Sequence, residues 1–220
     1  MVKSVSKKAP RKGGRPSRKQ AENIRDEILD IATGLFFTQG YGATSIESVA
    51  QLARMSKRTF YHRFEDKADL FRAVVHRVIE NLRPANVTGL FEGAAFEDIL
   101  HRIARIVLDA ALTPEALALH RLILAEAGRF PELALVVNRE GARQEAVRRI
   151  AGLLQQEPST RHLTPEYAVF AAEQFLQMVV ALPQRRAMGL GKPMTRAELD
   201  AWARDAVELF LHGCVKPPAQ

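Results

Sequence analysis

One cysteine, Cys214, stands in 220 residues, which excludes an internal disulfide framework and any multi-cysteine zinc site and fits a reducing cytosol. Long apolar runs are also missing. The most apolar stretch, Tyr167 to Leu182, is broken by Glu173, Gln174 and Gln177, well short of the roughly 18 residues a transmembrane helix needs. The amino-terminal residues are basic but no apolar segment follows them, so no secretory signal is expected. Catalytic signatures are lacking as well: there is no Gly-x-Ser-x-Gly elbow, no His-Glu-x-x-His helix and no dinucleotide fingerprint. The six histidines have no ligand spacing with cysteine. Gly189-Leu190-Gly191-Lys192-Pro193 has the glycines of a phosphate loop, but proline replaces the Ser/Thr that would hold magnesium, and no strand precedes it. No catalytic residue, metal or cofactor is therefore expected, and the chain reads as a non-enzyme without a membrane partner.

What is present is a globular composition with an uneven charge. Apolar residues make up 47% and charged residues 26%, enough for a packed core in one or two domains. The net charge of +7 is concentrated at the start, where residues 1–19 carry eight basic side chains and no acid; the remainder holds 24 basic against 25 acidic residues. Residues 1–20 are rich in Lys, Arg, Gly, Pro and Ser and bury little, so they read as a disordered basic arm attached to a nearly neutral body. Such an arm is either a solubilising or localisation tail or a ligand for a polyanion.

After the arm the periodicity is helical throughout. Ile24, Ile28, Ile31, Leu35 and Phe36 share one face of a helix that Gly40 should end. Thr44 with Glu47 has the spacing of a capping box ahead of a short helix, Ser56 can cap a third through about Phe64, and Asp66 a fourth toward Pro84. Later starts are Phe96, Thr113-Pro114-Glu115, Pro131-Glu132 (a helix through about Gln155), Thr164-Pro165-Glu166 and Thr195 with Glu198, and Gly213 stops the last. The expectation is an all-α chain of about nine helices: a helix-turn-helix three-helix domain at 21–68, a helical ligand-binding and dimerisation domain at 69–213, and a tail at 214–220.

The chemistry is concentrated between Ile46 and Leu70. Two short capped helices are separated by Arg54-Met55, a connection of helix-turn-helix length. Phe60 and Phe64, four apart, should pin the third helix inward. Lys57, Arg58, Tyr61 and His62 then share its outward face, which carries no acid. That set supplies donors for base edges and for phosphates, as a recognition helix in a major groove requires. Lys67, at the start of the next helix, is placed to meet a phosphate.

Gly40-Tyr41-Gly42-Ala43-Thr44-Ser45-Ile46, Val49-Ala50, Ser56 through Lys67 and Leu70 together resemble the amino-terminal DNA-binding domain of TetR/AcrR-family transcriptional regulators. The resemblance implies a cytoplasmic homodimer on a pseudo-palindromic double-stranded operator, usually repressing and usually released by a small apolar or amphipathic effector. By motif position it implies DNA contacts from Thr44, Lys57, Arg58, Thr59, Tyr61, His62 and Lys67. The sequence departs from the common pattern at Arg54 and Arg58, where small residues are frequent. Residues 119–133 resemble the AefR-like branch of carboxy-terminal domains. The resemblance also implies a dimer face on the last two helices, with Phe170, Met178, Trp202, Val207 and Phe210 as candidates. Phe71, Val75, Ile103, Val107, Ile123, Phe175 and Met178 are candidate walls of an effector pocket, and His101, His120 and Glu126 its polar members. The alternative is a sequence-tolerant architectural DNA binder dominated by its arm.

Within that arm, Pro10-Arg11-Lys12-Gly13-Gly14-Arg15-Pro16 resembles the core of an AT-hook, with glycine in place of the first core arginine. Arg11, Lys12 and Arg15 are therefore candidate contacts, either in a narrow A·T minor groove or on phosphates alone. Each neutralised phosphate releases counterions, so deleting residues 2–19 is expected to lower DNA affinity and flatten the slope of log K against log salt. An unchanged slope in a salt titration would remove the arm from the interface.

Overall fold

The computed structural model describes residues 18–82, 94–140 and 142–213; the arm residues Arg11, Lys12 and Arg15 and the tail at 214–220 lie outside them. Ten helices and no strand occur among the described residues. They are α1 (Arg18–Ala43), α2 (Ile46–Leu52), α3 (Lys57–Tyr61), α4 (Lys67–Leu82), α5 (Phe96–Ala111), α6 (Pro114–Glu126), α7 (Pro131–Glu140), α8 (Ala142–Gln156), α9 (Pro165–Ala187) and α10 (Arg196–His212). Side-chain oxygens take the orphan amides at most of the starts read from the sequence. Thr113 accepts from the Ala116 amide at 3.2 Å, and Asp66 from Asp69 at 2.7 Å. Thr195 and Glu198 exchange two such bonds at 3.3 and 2.7 Å. Gly40, at φ 87° and ψ 166°, breaks the regular backbone of α1, and Gly213 at φ 69° closes α10.

Two expectations are corrected. The first box lies one residue later than read: Ser45, not Thr44, is the cap of α2, and it exchanges bonds with Ser48 at 3.0 and 3.2 Å. The single helix expected from Pro131 to about Gln155 is two, α7 and α8, with Gly141 between them in the sequence. Each serves a different core, which is why the count is ten.

One core joins α1, α2, α3 and α4 with α6 and α7: Phe36, Phe60, Phe64 and Phe71 are buried with Ile28, Val49, Leu70, Leu119, Leu122 and Leu133. The other joins α5, α8, α9 and α10 around Leu100, Leu108, Ile150, Leu154, Phe175 and Val207. Burying a large apolar side chain contributes on the order of 2–3 kcal/mol, so these clusters dominate the favourable terms. Residues 69–213 thus divide between two cores, and α4, α6 and α7 pack with the helix-turn-helix.

Helix α9 contains Pro183, which is buried. Proline has no N–H, so the carbonyl four residues back, on Val179, loses its helical partner. The indole N–H of Trp202 on α10 donates to that carbonyl at 2.9 Å. Trp202 therefore patches a proline defect within the chain, and Val207 is fully buried core. Ion pairs Arg105–Asp200 and Arg196–Asp109 further join α5 to α10. Trp202→Phe leaves a buried acceptor unpaired and is expected to cost about 1–3 kcal/mol. Pro183→Ala restores an N–H at position 183, so its stabilisation should be larger in the Trp202→Phe background than in the parent. Urea midpoints at one fixed protein concentration read this cycle; equal gains in both backgrounds would dismiss the patch.

Candidate nucleic-acid interface

Capping builds the α2–turn–α3 unit residue by residue. After α2, Arg54 takes a left-handed conformation at φ 51°. Its amide donates to Gln51 and that of Met55 to Ala50 at 2.9 Å, a closure that favours glycine at the left-handed residue. This is the physical content of the departure at Arg54. Met55 packs on the first core. Ser56 then caps α3, accepting from the Thr59 amide at 3.1 Å, and its hydroxyl also meets the Thr59 hydroxyl at 2.9 Å. Phe60 is buried at 5.5 Å from Phe64, and these rings hold α3 down.

With that anchor, Lys57, Arg58, Tyr61 and His62 are all exposed, Tyr61 at 52%, on the outward side. The face is not free of acid, as the sequence of α3 alone suggested. Glu47 on α2 reaches Lys57 Nζ at 2.5 Å. That pairing holds the Glu47 carboxyl below the usual range and pushes the Lys57 ammonium up. With Ser45 and Ser48 forming the box, the Glu47 carboxylate faces Lys57 while also accepting from its own backbone amide.

The side chains of Thr44 and Lys67 meet at the turn between α1 and α2. Thr44 is 1% exposed, and its hydroxyl donates to the Gly40 carbonyl at 2.8 Å while accepting from Gln39 at 3.3 Å. Lys67 points back at the end of α1: its ammonium donates to the carbonyls of Tyr41 at 2.9 Å, Thr44 at 3.0 Å and Gly42 at 3.4 Å. It also lies 4.3 Å from the centre of the Tyr41 ring. An ammonium has three donors, and here all three are used. Burial pushes its pKa down, while the Glu126 and Glu132 carboxylates act in the opposite direction. In this chain both polar groups are engaged at the turn that leads into α2.

The ten candidate pocket residues do not converge on one chamber. Phe71, Val75 and Ile123 belong to the first core, and Ile103, Val107 and Phe175 to the second. His101 lies on α5 beside Glu97 at 3.5 Å. His120 is half-buried on α6, and burial pushes its pKa down. Glu126 ends α6, and Met178 is partly exposed on α9. A cleft of about 390 Å³ between α1 and α4 is lined by charged residues, including Arg25, Asp69, Arg72, Arg77 and Glu80. A smaller one of about 180 Å³ lies among Leu154, Leu163, Tyr167, Ala171, Phe210 and Leu211. None of the expected walls lines either cleft. Of the dimer candidates, Phe170 is 51% exposed next to Tyr167, whereas Phe210 packs on Phe175 with ring centres 5.0 Å apart. Among the described residues no helix is long and apolar enough to cross a membrane, and no cluster of His, Cys, Asp and Glu is arranged to hold a metal ion.

A capped, aromatic-pinned helix presenting cations ahead of a helical second half is the architecture of a helix-turn-helix regulator. Residues 28–74 match the model for bacterial regulatory proteins of the tetR family, and residues 98–213 match the AefR-like transcriptional repressor, C-terminal domain. The chain belongs to the TetR family, whose members are DNA-binding transcriptional regulators. It is 32% identical to the solved structure of a TetR-family transcriptional regulator from Mesorhizobium loti MAFF303099, covering 89% of this chain and 98% of that one at a TM-score of 0.68. The Flavonoid-responsive Regulator FrrA is 30% identical, with 90% and 100% covered and a TM-score of 0.71. The HTH-type transcriptional regulator AcrR of Shigella flexneri is 30% identical over 103 residues, 46% of this chain and 47% of AcrR. The chain spans about half the length, or less, of the curated relatives it matches.

The turn under the interface carries a pH signature. Burial, with the carboxylates of Glu132 and Asp66 adding to it, pushes the Tyr41 hydroxyl from 10.0 up to about 12. Between those values the unfolded chain releases a proton that the folded chain keeps, so stability falls as pH rises from about 10 toward 12. Tyr41→Phe removes this component, and its denaturant midpoint is expected to decline less than that of the parent over the same window. Parallel declines would show that the hydroxyl titrates normally.

Proposed function

We propose that the protein is a cytoplasmic, homodimeric and ligand-responsive transcriptional repressor that binds a pseudo-palindromic operator. The observation that carries this reading is the outward face of α3. Lys57, Arg58, Tyr61 and His62 stand exposed together on a helix whose other side is locked by Phe60 and Phe64. Lys57 at the first helical position and Arg58 beside it suit base edges, and Tyr61 and His62, one turn later, suit phosphates. Two such helices in a dimer must be spaced by about one turn of duplex, which makes the operator a palindrome.

A dimer face on α9 and α10 is supported by Phe170 and Tyr167, two exposed aromatic rings 5.7 Å apart, with Met178 further along α9 and Leu209 exposed on α10. The effector is a small apolar or amphipathic molecule, the class that includes the flavonoid in FrrA's name. It acts by population shift, binding better to a state in which the two recognition helices no longer match the groove spacing. Helix α4 is the lever. Arg77 ties it to α1 through Asp30 at 2.8 Å, the Asp26 carbonyl and Thr33, while its other face packs with α6 and α7. The second core, with four helices of its own, is more than an architectural binder dominated by its arm requires.

Sequencing of genomic fragments retained by the purified protein at ~0.15 M salt tests the reading, because non-specific binding is weak there. One enriched palindrome is the expected result for the parent, and an altered palindrome for Lys57→Ala. Broad A·T-rich retention without a palindrome would favour the architectural alternative.

A further inference from the structure

The end of α6 presses on the backbone that leads into α2. Glu126 Oε1 accepts a hydrogen bond from the Gly42 amide at 3.2 Å. Two glycines make that approach possible. A Cβ on Gly40 would lie 2.5 Å from Glu126 Oε1, and one on Gly42 would lie 3.3 Å from the Phe130 ring and 3.4 Å from Glu126 Oε2. Gly40 also needs its φ of 87°, which side chains rarely adopt. Between them the Tyr41 ring meets Phe130 edge to face with centres 5.0 Å apart. The Glu126 carbonyl accepts from the amides of Arg129 and Phe130 at 2.9 Å each, so carboxylate and ring are carried on one tight elbow between α6 and α7. Lys67 closes the arrangement from the opposite side, over the rings of Tyr41 and Phe130 at 4.3 and 5.8 Å.

We propose that Glu126 is a positioning residue for DNA binding. The α6–α7 elbow clamps the turn at residues 40–44, and with it the orientation of α2 and α3, so that displacing the elbow lets the recognition unit move. This rests on the operator-binding reading above and adds the contact through which the rest of the chain governs it. The turn is held by three carbonyl bonds from Lys67 on α4 and by one amide bond from Glu126 on α6. Lys67 belongs to the helix that follows the recognition unit. The Glu126 contact alone among these comes from the far part of the chain, 84 residues from Gly42.

The contact and simple charge effects predict opposite signs. Removing a carboxylate near a polyanion should by itself tighten DNA binding, equally for Glu126→Ala and Glu126→Gln. If the carboxylate positions the turn, full-length Glu126→Ala should lose roughly tenfold or more in operator affinity, the scale of one hydrogen bond to a charged acceptor. Glu126→Gln keeps a carbonyl oxygen for Gly42 and should stay within about twofold of the parent. Gly42→Ala provides a second route, since its methyl meets Phe130 and pushes the elbow away, and it should also weaken binding. Fluorescence anisotropy on the enriched palindrome reads all three, with urea midpoints confirming that each variant is folded. Equal affinities for the alanine and glutamine variants, or a Gly42→Ala that binds like the parent, would overturn the role of Glu126 while leaving operator binding intact. A parent that retains no palindrome would overturn operator binding and this role with it.

Discussion

A helix leaves its last carbonyls without partners, and how α1 resolves this fixes the geometry of everything after it. Gly40 turns the chain out of the helix, and the carbonyls of Tyr41, Gly42 and Thr44 then converge on the Lys67 ammonium. Each such charge-assisted bond is stronger than a neutral one, and burial raises the cost of leaving any of them unmade. Because Lys67 is the first residue of α4, the bond set ties the exit of α1 to the entry of α4. Helices α2 and α3 are the loop so closed. Their caps, the left-handed Arg54 and the rings of Phe60 and Phe64 give that loop one shape. The exposed cations of α3 therefore owe their placement to a cation that is not exposed.

The same turn explains why the first core does not stop at α4. Tyr41 is buried against Phe36, Phe71 and Phe130, with ring centres 5.6, 5.4 and 5.0 Å away. Phe36 and Phe71 come from α1 and α4, whereas Phe130 arrives from beyond α6. A polar contact from Glu126 accompanies it. The recognition unit thus shares its core with the helices on either side of it, α1 and α4, and with two helices that follow much later in the chain.

Much of this was legible in residues, and the failures share one cause. The prolines and threonines that open α6 and α9, the box at Thr195 and Glu198, Asp66 ahead of α4 and the break at Gly40 within α1 are short-range chemistry, legible in neighbouring residues. The outward set on α3 followed from a spacing of four between two phenylalanines. A capping box spaced from Thr44 to Glu47 spends that carboxylate on the Thr44 amide, so the sequence does not reveal it as the partner of Lys57. Partners distant in sequence were beyond reach. Pro183 announces an orphaned carbonyl on Val179, but nothing near it names Trp202 as the donor. Apolar residues expected to wall a chamber, Phe71 and Phe175 among them, are equally good as solid core, and composition does not separate the two.

The order of helices between the two cores has a mechanical consequence. The chain passes from the first core to the second between α4 and α5, returns between α5 and α6, and crosses again between α7 and α8. Three covalent crossings leave no single hinge about which one half could swing freely. Such connectivity favours slides of packed helices over short distances, the shear type of rearrangement. A recognition unit borrowed from another protein and joined at α4 would inherit one of these tethers and none of the bearing surfaces that the others bring.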